Sequence, residues 1–567
     1  MIDLLEVSPD RLMTWTRAIG RWTRLSGSTE ERAAAEYVAG ELGAMGYATR
    51  ILSHVAYISL PGRAALRVTI PEQRELRCIT HSMGLSTDAD GESGELVYVG
   101  KGQVEDYRLA NAAGKFGLVD GRATPQRALD ATRAGARGMV CISGRLPHEM
   151  CCSPVWGSPS EATVGELPSA VLISLAASDG EALRELGARG PVRIEVSAEV
   201  QTGWVETPIV EADLRPSHPE ADSTFVMLSG HLDSWYLGAM DNATANAAML
   251  EVARLMAEHR TSLRRGLRVL LWSGHSHGRY SSSAWYADER FVELDERCVA
   301  HVNADSLGGL DADRFVTNSM PETAALAIEA TERAAHAKLD ARRVGRNSDQ
   351  SFLGIGIPTV LGSVSHQSDG SLGWWWHTPE DTLDKIDPRR LVRDAGIFVH
   401  VVERLLVDPV LPLDCVESAG DIRASLETLA GAASGCFDLA PTIREAARLQ
   451  ALCAQLLAEN EERDPWAGSS IAGVNDCLRE LGRILIPVTY TRARRHGHDP
   501  ALDVPFLPKL QGARRLAGLS PDSDAARVLV VDLTRARSEI MSALRRACAT
   551  VEACLAKRRV AAGNPSA

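Results

Sequence analysis

The chain has no CxxC pair, and its 11 cysteines are an odd number scattered along 567 residues. Cys151 and Cys152 are adjacent, and Cys548 and Cys554 share one predicted helix. That pattern argues against a disulfide framework or a structural zinc ribbon and fits reduced thiols in a cytoplasm. No apolar run approaches the roughly 20 residues needed to cross a bilayer. The start, "MIDLLEVSPDRLMTW", lacks a basic segment followed by an apolar one, so no secretory signal is expected. Basic charge is also in short supply: Lys and Arg number 61 against 74 Asp and Glu, a net charge of -13. This speaks against a nucleic-acid partner, and the one basic run, "RARRHGH" from Arg492 to His498, reads as a solvated face. Internal repeats and low-complexity segments are not evident.

What is present is a globular composition, 45% hydrophobic and 24% charged, in a chain too long for one core. Residues 9–46 read as helix-rich, with Ser28 or Thr29 opening a capped helix in "GSTEERAAAEYVAGELGAMGY". From 62 to 200 the texture changes to short strand-like runs broken by Gly and Pro. Its centre, "AAGKFGLVDGRATPQRALDATRAGARGMVCIS", reads as strand, Pro-capped helix, strand. From 224 to 408 strands and helices alternate. "TFVMLSG", "GLRVLLWSG", "CVAHVNAD" and "IPTVLGSVS" are continuous apolar runs, the mark of strands covered on both faces of an α/β sheet. Beyond 411 the strand signal fades, and "SEIMSALRRACATVEACLAKRR" is an amphipathic helix. The apolar faces of this helical region are open to two uses, internal packing or a homodimer interface.

The polar residues that end these strands carry the chemistry. His231 and Asp233 lie in "SGHLDSW", Asp241 in "AMDNATANAAM", Asp305 in "HVNADSLGG" and His377 in "WWWHTPEDTLDKID". Imidazole nitrogens and carboxylate oxygens are zinc ligands. Open α/β sheets place their ligands beyond the C-terminal ends of the strands. Asp233, two residues after His231, is placed to orient that imidazole from behind. Tryptophan is concentrated here, at Trp235, Trp272, Trp285 and the run Trp374, Trp375, Trp376. Three in succession cannot all face a core, so at least one is expected in a pocket. Trp235 and Trp376 are candidates, and Arg279 and Asp349 are candidate substrate contacts.

The series "GHLDSW…DN…NAD…SDQSF…GIP…WWHTPEDT" resembles the zinc aminopeptidase and glutamate-carboxypeptidase family that carries an inserted protease-associated domain. The similarity runs from "RLSGSTEERAAAEYVAGELGAMGY" to "DTLDKID". The resemblance implies a mixed sheet flanked by helices over 1–61 and 201–410, a β-rich inserted domain at 62–200, and a helical C-terminal domain at 411–567. It further implies one or two zinc ions. His231 and Asp305 would hold one, His377 would help hold a second, and Asp241 would bridge them with Asp233 behind His231. An inserted domain of this kind commonly covers the cleft and helps choose substrates.

The chain departs from the family at one turn. Where the family ends the strand in Glu-Glu, a general base followed by a metal ligand, "LLWSGHSHGRY" places His275 and Ser276. A serine hydroxyl is a weak neutral ligand, and fewer carboxylates around two close cations weaken the second site most. Two repairs are open: His275 accepts a proton from water, or His275 or His277 coordinates the metal. In an extended turn His275 and His277 would point the same way and Ser276 the other. The first functional expectation is a metal-dependent hydrolase acting on an amide bond of a small peptide or N-acyl amino acid. The alternatives are other chemistry on the same scaffold, such as elimination or non-peptide hydrolysis, and a non-catalytic binding protein.

Overall fold

Strands Phe225–His231, Gly266–Trp272, Cys298–Ala304 and Thr359–Gly362 form one parallel end of a mixed sheet in the computed structural model. The structure describes residues 2–218, 221–461 and 468–561. The apolar runs are continuous because the pleat sends alternate residues into two separate cores. Val226, Leu228, Val269 and Leu271 face a large helical layer. Phe225, Met227, Leu270 and Trp272 face a smaller one with Tyr286, Phe352 and Ile357. In the large layer, helix Ala245–Glu258 packs against Pro9–Ile19 and Pro388–Val407. Ser28 caps helix Thr29–Ala44, its hydroxyl accepting from the Glu31 amide at 3.1 Å.

A two-stranded ribbon links this domain to the next. Ala48–Ile70 runs antiparallel to Val192–Leu214 over nearly its whole length. One end of the ribbon pairs with Gly266–Trp272. The other end carries Glu92–Tyr98, followed by parallel strands Phe116–Asp120, Gly138–Ile142 and Val171–Leu175. The boundaries drawn at 61/62 and 200/201 therefore fall inside continuous strands. The break in texture at Pro61 is a register shift between Pro61 and Ala64, where proline leaves the ladder a donor short. The Pro-capped helix read in the 62–200 region is Pro125–Arg133, and it alternates with the parallel strands together with Ala177–Arg189.

Helices Cys415–Ala432, Ala440–Glu461, Gly468–Tyr490 and Asp524–Ala561 form the C-terminal part and share one continuous core with the large helical layer. Ile540, Leu544, Ala547 and Val551 are buried where Asp524–Ala561 packs on the two helices before it. That apolar stripe is used internally. Among the described residues no helix is long and apolar enough to cross a membrane.

Arg483 fastens the helical part to the sheet domain. Its buried guanidinium donates to the carbonyls of Leu294, Asp295, Cys298 and Gly356 at 2.5 to 2.9 Å. Gly356 has φ +89°, and a Cβ there would meet the Arg483 backbone at 2.6 Å, so the two segments cannot approach this closely with any other residue. Arg483→Ala would strand several buried carbonyls, each costing about 1–3 kcal/mol. Thermal melting of this variant is expected to show a lower first transition, with metal retention by the folded protein unchanged. Loss of metal without a change in melting would contradict this division of labour.

Candidate metal centre

His231 ends its strand, Asp305 follows the neighbouring strand Cys298–Ala304, and Asp241 and His377 come from loops folded over the same sheet edge. The two imidazoles are held alike. His231 Nδ1 donates to the Asp233 carbonyl at 2.8 Å, with the Asp233 carboxylate at 3.5 Å. His377 Nδ1 donates to the Glu149 carbonyl at 2.6 Å. A carbonyl can only accept, so both Nδ1 atoms carry a proton, and in the neutral rings both Nε2 atoms present a lone pair.

Those lone pairs face one carboxylate. His231 Nε2 is 3.0 Å from Asp241 Oδ1, and His377 Nε2 is 2.9 Å from Asp241 Oδ2. Asp305 Oδ1 lies 3.5 Å from the same His231 nitrogen. Neutral imidazoles and carboxylates so arranged repel unless a proton or a metal cation sits among them. The electrostatics show the site's demand for positive charge. Burial disfavours a charged His231, but the carboxylates of Asp233, Asp241 and Asp305 outweigh burial and lift its pKa well above the ordinary value. Burial acts against ionised Asp241 as well, and the two imidazoles override it and hold that carboxyl far below the usual range. His377 goes the other way, with burial lowering its pKa despite Asp241. A donor set of two imidazoles and two carboxylates, with proton-bearing far nitrogens, fits zinc or another divalent ion.

Buried hydrogen bonds fix the Asp241 loop. The Asp381 carboxylate accepts from the amides of Met240 and Asp241 at 2.8 and 3.0 Å, and burial pushes its own pKa up to about 7. Asn242 donates to the carbonyls of His231 and Ala304 and accepts from the Ser306 amide, which ties three ligand-bearing segments together. Asp305 accepts from Ser306 and Ser348.

His275 stands beside the metal ligands. Its ring stacks on His231 with centroids 3.8 Å apart, and Nδ1 donates to Asp349 Oδ2 at 2.6 Å. Asp349 is buried and accepts from Ser283 at its other oxygen. One ligand atom each from His231, His275 and Asp305 lies within 4.8 Å of the others.

These residues open into a cavity of about 530 Å³ lined by Asp241, His275, Asp305 and His377 together with Arg279, Met150 and Trp376. That volume suits a small molecule or short peptide.

Residues 210–402 match the model of peptidase family M28. Over that stretch the chain is similar to the family. A probable glutamate carboxypeptidase of Zea mays is 22% identical over 503 residues, spanning 74% of this chain and 69% of its own length. An aminopeptidase from Aneurinibacillus sp. strain AM-1 shares the fold at TM-score 0.56 and 21% identity, over 71% of this chain and 95% of that one. A zinc aminopeptidase from Bacillus subtilis superposes at TM-score 0.54 and 20% identity, over 72% and 96%. The family match and the carboxypeptidase relative support a hydrolase of the metallopeptidase type.

Within this site several expectations need correction. His277 does not share a face with His275. Residues 273–280 form bends and turns, so the two-residue alternation of an extended chain does not apply. His277 is fully buried, with Nδ1 2.9 Å from Ser26 Oγ and 3.7 Å from Asp233, and it is not a cavity residue. Ser276 is buried too, its amide donating to Asp233 at 2.9 Å. Asp349 contacts His275 and does not line the cavity. Trp235 is buried against His277 at 4.2 Å, away from the cavity wall. Of the tryptophan run, Trp376 lines the cavity, Trp375 is buried against Met240, and Trp374 lies under Arg145.

Sequence reasoning missed Glu149, Asn242, Ser348 and Asp381. Asp381 sits in "TPEDT" four residues after His377, a signal that could have been read; Glu149 gave none.

Substituting His231 or Asp305 by Ala removes donors that nothing nearby replaces. Zinc content after dialysis is expected to fall to background in both variants, with far-UV circular dichroism unchanged. Retention of stoichiometric zinc by either variant would refute the ligand assignment.

Proposed function

We propose that the protein is a metal-dependent hydrolase of small amide substrates in which the His275–Asp349 pair takes the place of the family's glutamate base. The observation that carries this reading is the 2.6 Å hydrogen bond from His275 Nδ1 to the buried Asp349 carboxylate, which in the neutral ring leaves Nε2 as the acceptor. His231, Asp241 and Asp305 would hold one ion, and Asp241 with His377 would share a second. An ion held there supplies Lewis acidity toward a carbonyl and acidifies water.

The chain's own groups do the rest. His275 accepts the proton of the attacking water at Nε2. Asp349 keeps the ring in the required tautomer and stabilises the imidazolium that forms, as a carboxylate does behind a catalytic histidine. The proton then passes to the departing nitrogen. Arg279 and Trp376 line the cavity and would contact the substrate, which favours a ligand with one apolar or aromatic group and one anionic or hydrogen-bonding group. With Ser276 buried where the family has a carboxylate, the His377 side holds its ion more weakly than the His231 side.

A second reading is favoured by the closeness of His275 to His231 and Asp305: His275 could itself be a ligand of a single ion. The two readings separate on metal content, because a base can be removed without loss of the metal and a ligand cannot.

His275→Ala is expected to lower kcat by on the order of 10²-fold or more, the scale of a general base. Asp349→Asn, which keeps the shape but offers an amide to His275, is expected to lower kcat with KM nearly constant. Wild-type kinetics in His275→Ala on any substrate the protein turns over would end the proposal.

A panel of chromogenic amino-acid amides, assayed with zinc, cobalt and manganese, is expected to show weak or no turnover. Rates of about 10 per second, typical of an efficient enzyme, would show that the histidine pair fully substitutes for two glutamates.

A further inference from the structure

Glu149 belongs to the 62–200 region, yet its backbone grips the cleft. Its carbonyl accepts from His377 Nδ1 at 2.6 Å, and its amide donates to the His377 carbonyl at 2.9 Å. Residue His148 adds a contact between its Nδ1 and the Trp376 carbonyl at 2.5 Å. The Glu149 side chain turns away from His377 and is buried, with Oε1 accepting from the Tyr236 hydroxyl at 2.9 Å. Oε2 is buried and has no hydrogen-bond partner. Burial raises the pKa of this carboxyl to about 8, and a buried polar group with an unpartnered oxygen costs stability, so packing alone does not account for it. Tyr236 lies in the loop that follows His231 and Asp233.

Glu149 therefore joins three things: the loop behind His231, the 62–200 region, and the metal-facing His377. We propose that Glu149 is a positioning residue. Its side chain, anchored to Tyr236, holds its carbonyl against His377 Nδ1 and so keeps the His377 Nε2 lone pair aimed at the Asp241 side of the metal centre. The 62–200 region is then part of the metal site, and its seating sets how well the His377 side binds an ion. The inference rests on the proposed role of His377 as a ligand. It goes further by giving His377 a tautomer-fixing partner from a different part of the chain. Partners of this kind, when lost, typically cost 10–100-fold in metal affinity.

The test is a cobalt titration of the full-length apo protein, followed by visible absorption. His377→Ala identifies the binding step that depends on this histidine. In Glu149→Ala that step is expected to weaken about tenfold or more, while the step that depends on His231 stays as in wild type. Glu149→Gln keeps an oxygen for the Tyr236 hydroxyl and is expected to restore most of the affinity. Tyr236→Phe removes only the hydroxyl and is expected to weaken the same step in the same direction. It decides the question if Glu149→Ala fails to fold. A purely structural Glu149 would lower the melting temperature and leave both steps as in wild type; that result in Glu149→Ala, or in Tyr236→Phe where only it folds, would overturn the proposal. If His377→Ala itself changes no step, the ligand reading of His377 is what fails, and this inference falls with it. If His377→Ala abolishes a step that the Glu149 and Tyr236 variants keep intact, this inference alone fails.

Discussion

Asp241 lies between two imidazoles whose Nδ1 protons are fixed by carbonyl groups behind them, so in the neutral rings carboxylate and lone pairs oppose one another across the cleft. A cation resolves that opposition. Much of the surrounding structure serves to hold Asp241 in place. Asp381 takes two successive amides of its loop, and Asn242 binds that loop to the ends of two strands. Removing any of these would let the carboxylate swing toward water and relieve the opposition without a metal. The buried polar network is justified by the site it maintains, since such networks cost more than apolar packing unless every member is satisfied.

Loss of the glutamate pair changes the balance of this arrangement without dismantling it. The His231 side keeps an imidazole and two carboxylates. The His377 side keeps an imidazole and half of a shared carboxylate, with its orientation dependent on a neighbouring part of the chain. His275, stacked on His231 and backed by Asp349, would on the proposed reading transfer the proton on the better-equipped side. Function, on this account, moves from a symmetric pair of ions toward one ion and one histidine.

The sheet and the convergence of His231, Asp241, Asp305 and His377 were legible in the sequence because both follow from short-range rules. Apolar runs of strand length mark strands buried on both faces, and polar residues at their ends mark the cleft. The turn at 273–280 was not legible. Whether His275 and His277 share a face depends on φ and ψ angles that the string "SGHSHGRY" does not specify, with Arg279 and Tyr280 both at positive φ. Glu149 was invisible for a different reason. It acts on His377 through its backbone, from 228 residues away, and no side-chain pattern records such a contact. Asp349 was noticed and given the wrong neighbour, because sequence order cannot tell a cavity wall from the layer behind it.

The central claim is that His275 moves a proton and does not hold the metal. Loading apo protein with one equivalent of cobalt and comparing wild type with His275→Ala tests it directly. The account predicts the same visible spectrum and the same affinity in both. A changed spectrum together with weakened cobalt binding in His275→Ala would contradict it and make His275 a ligand.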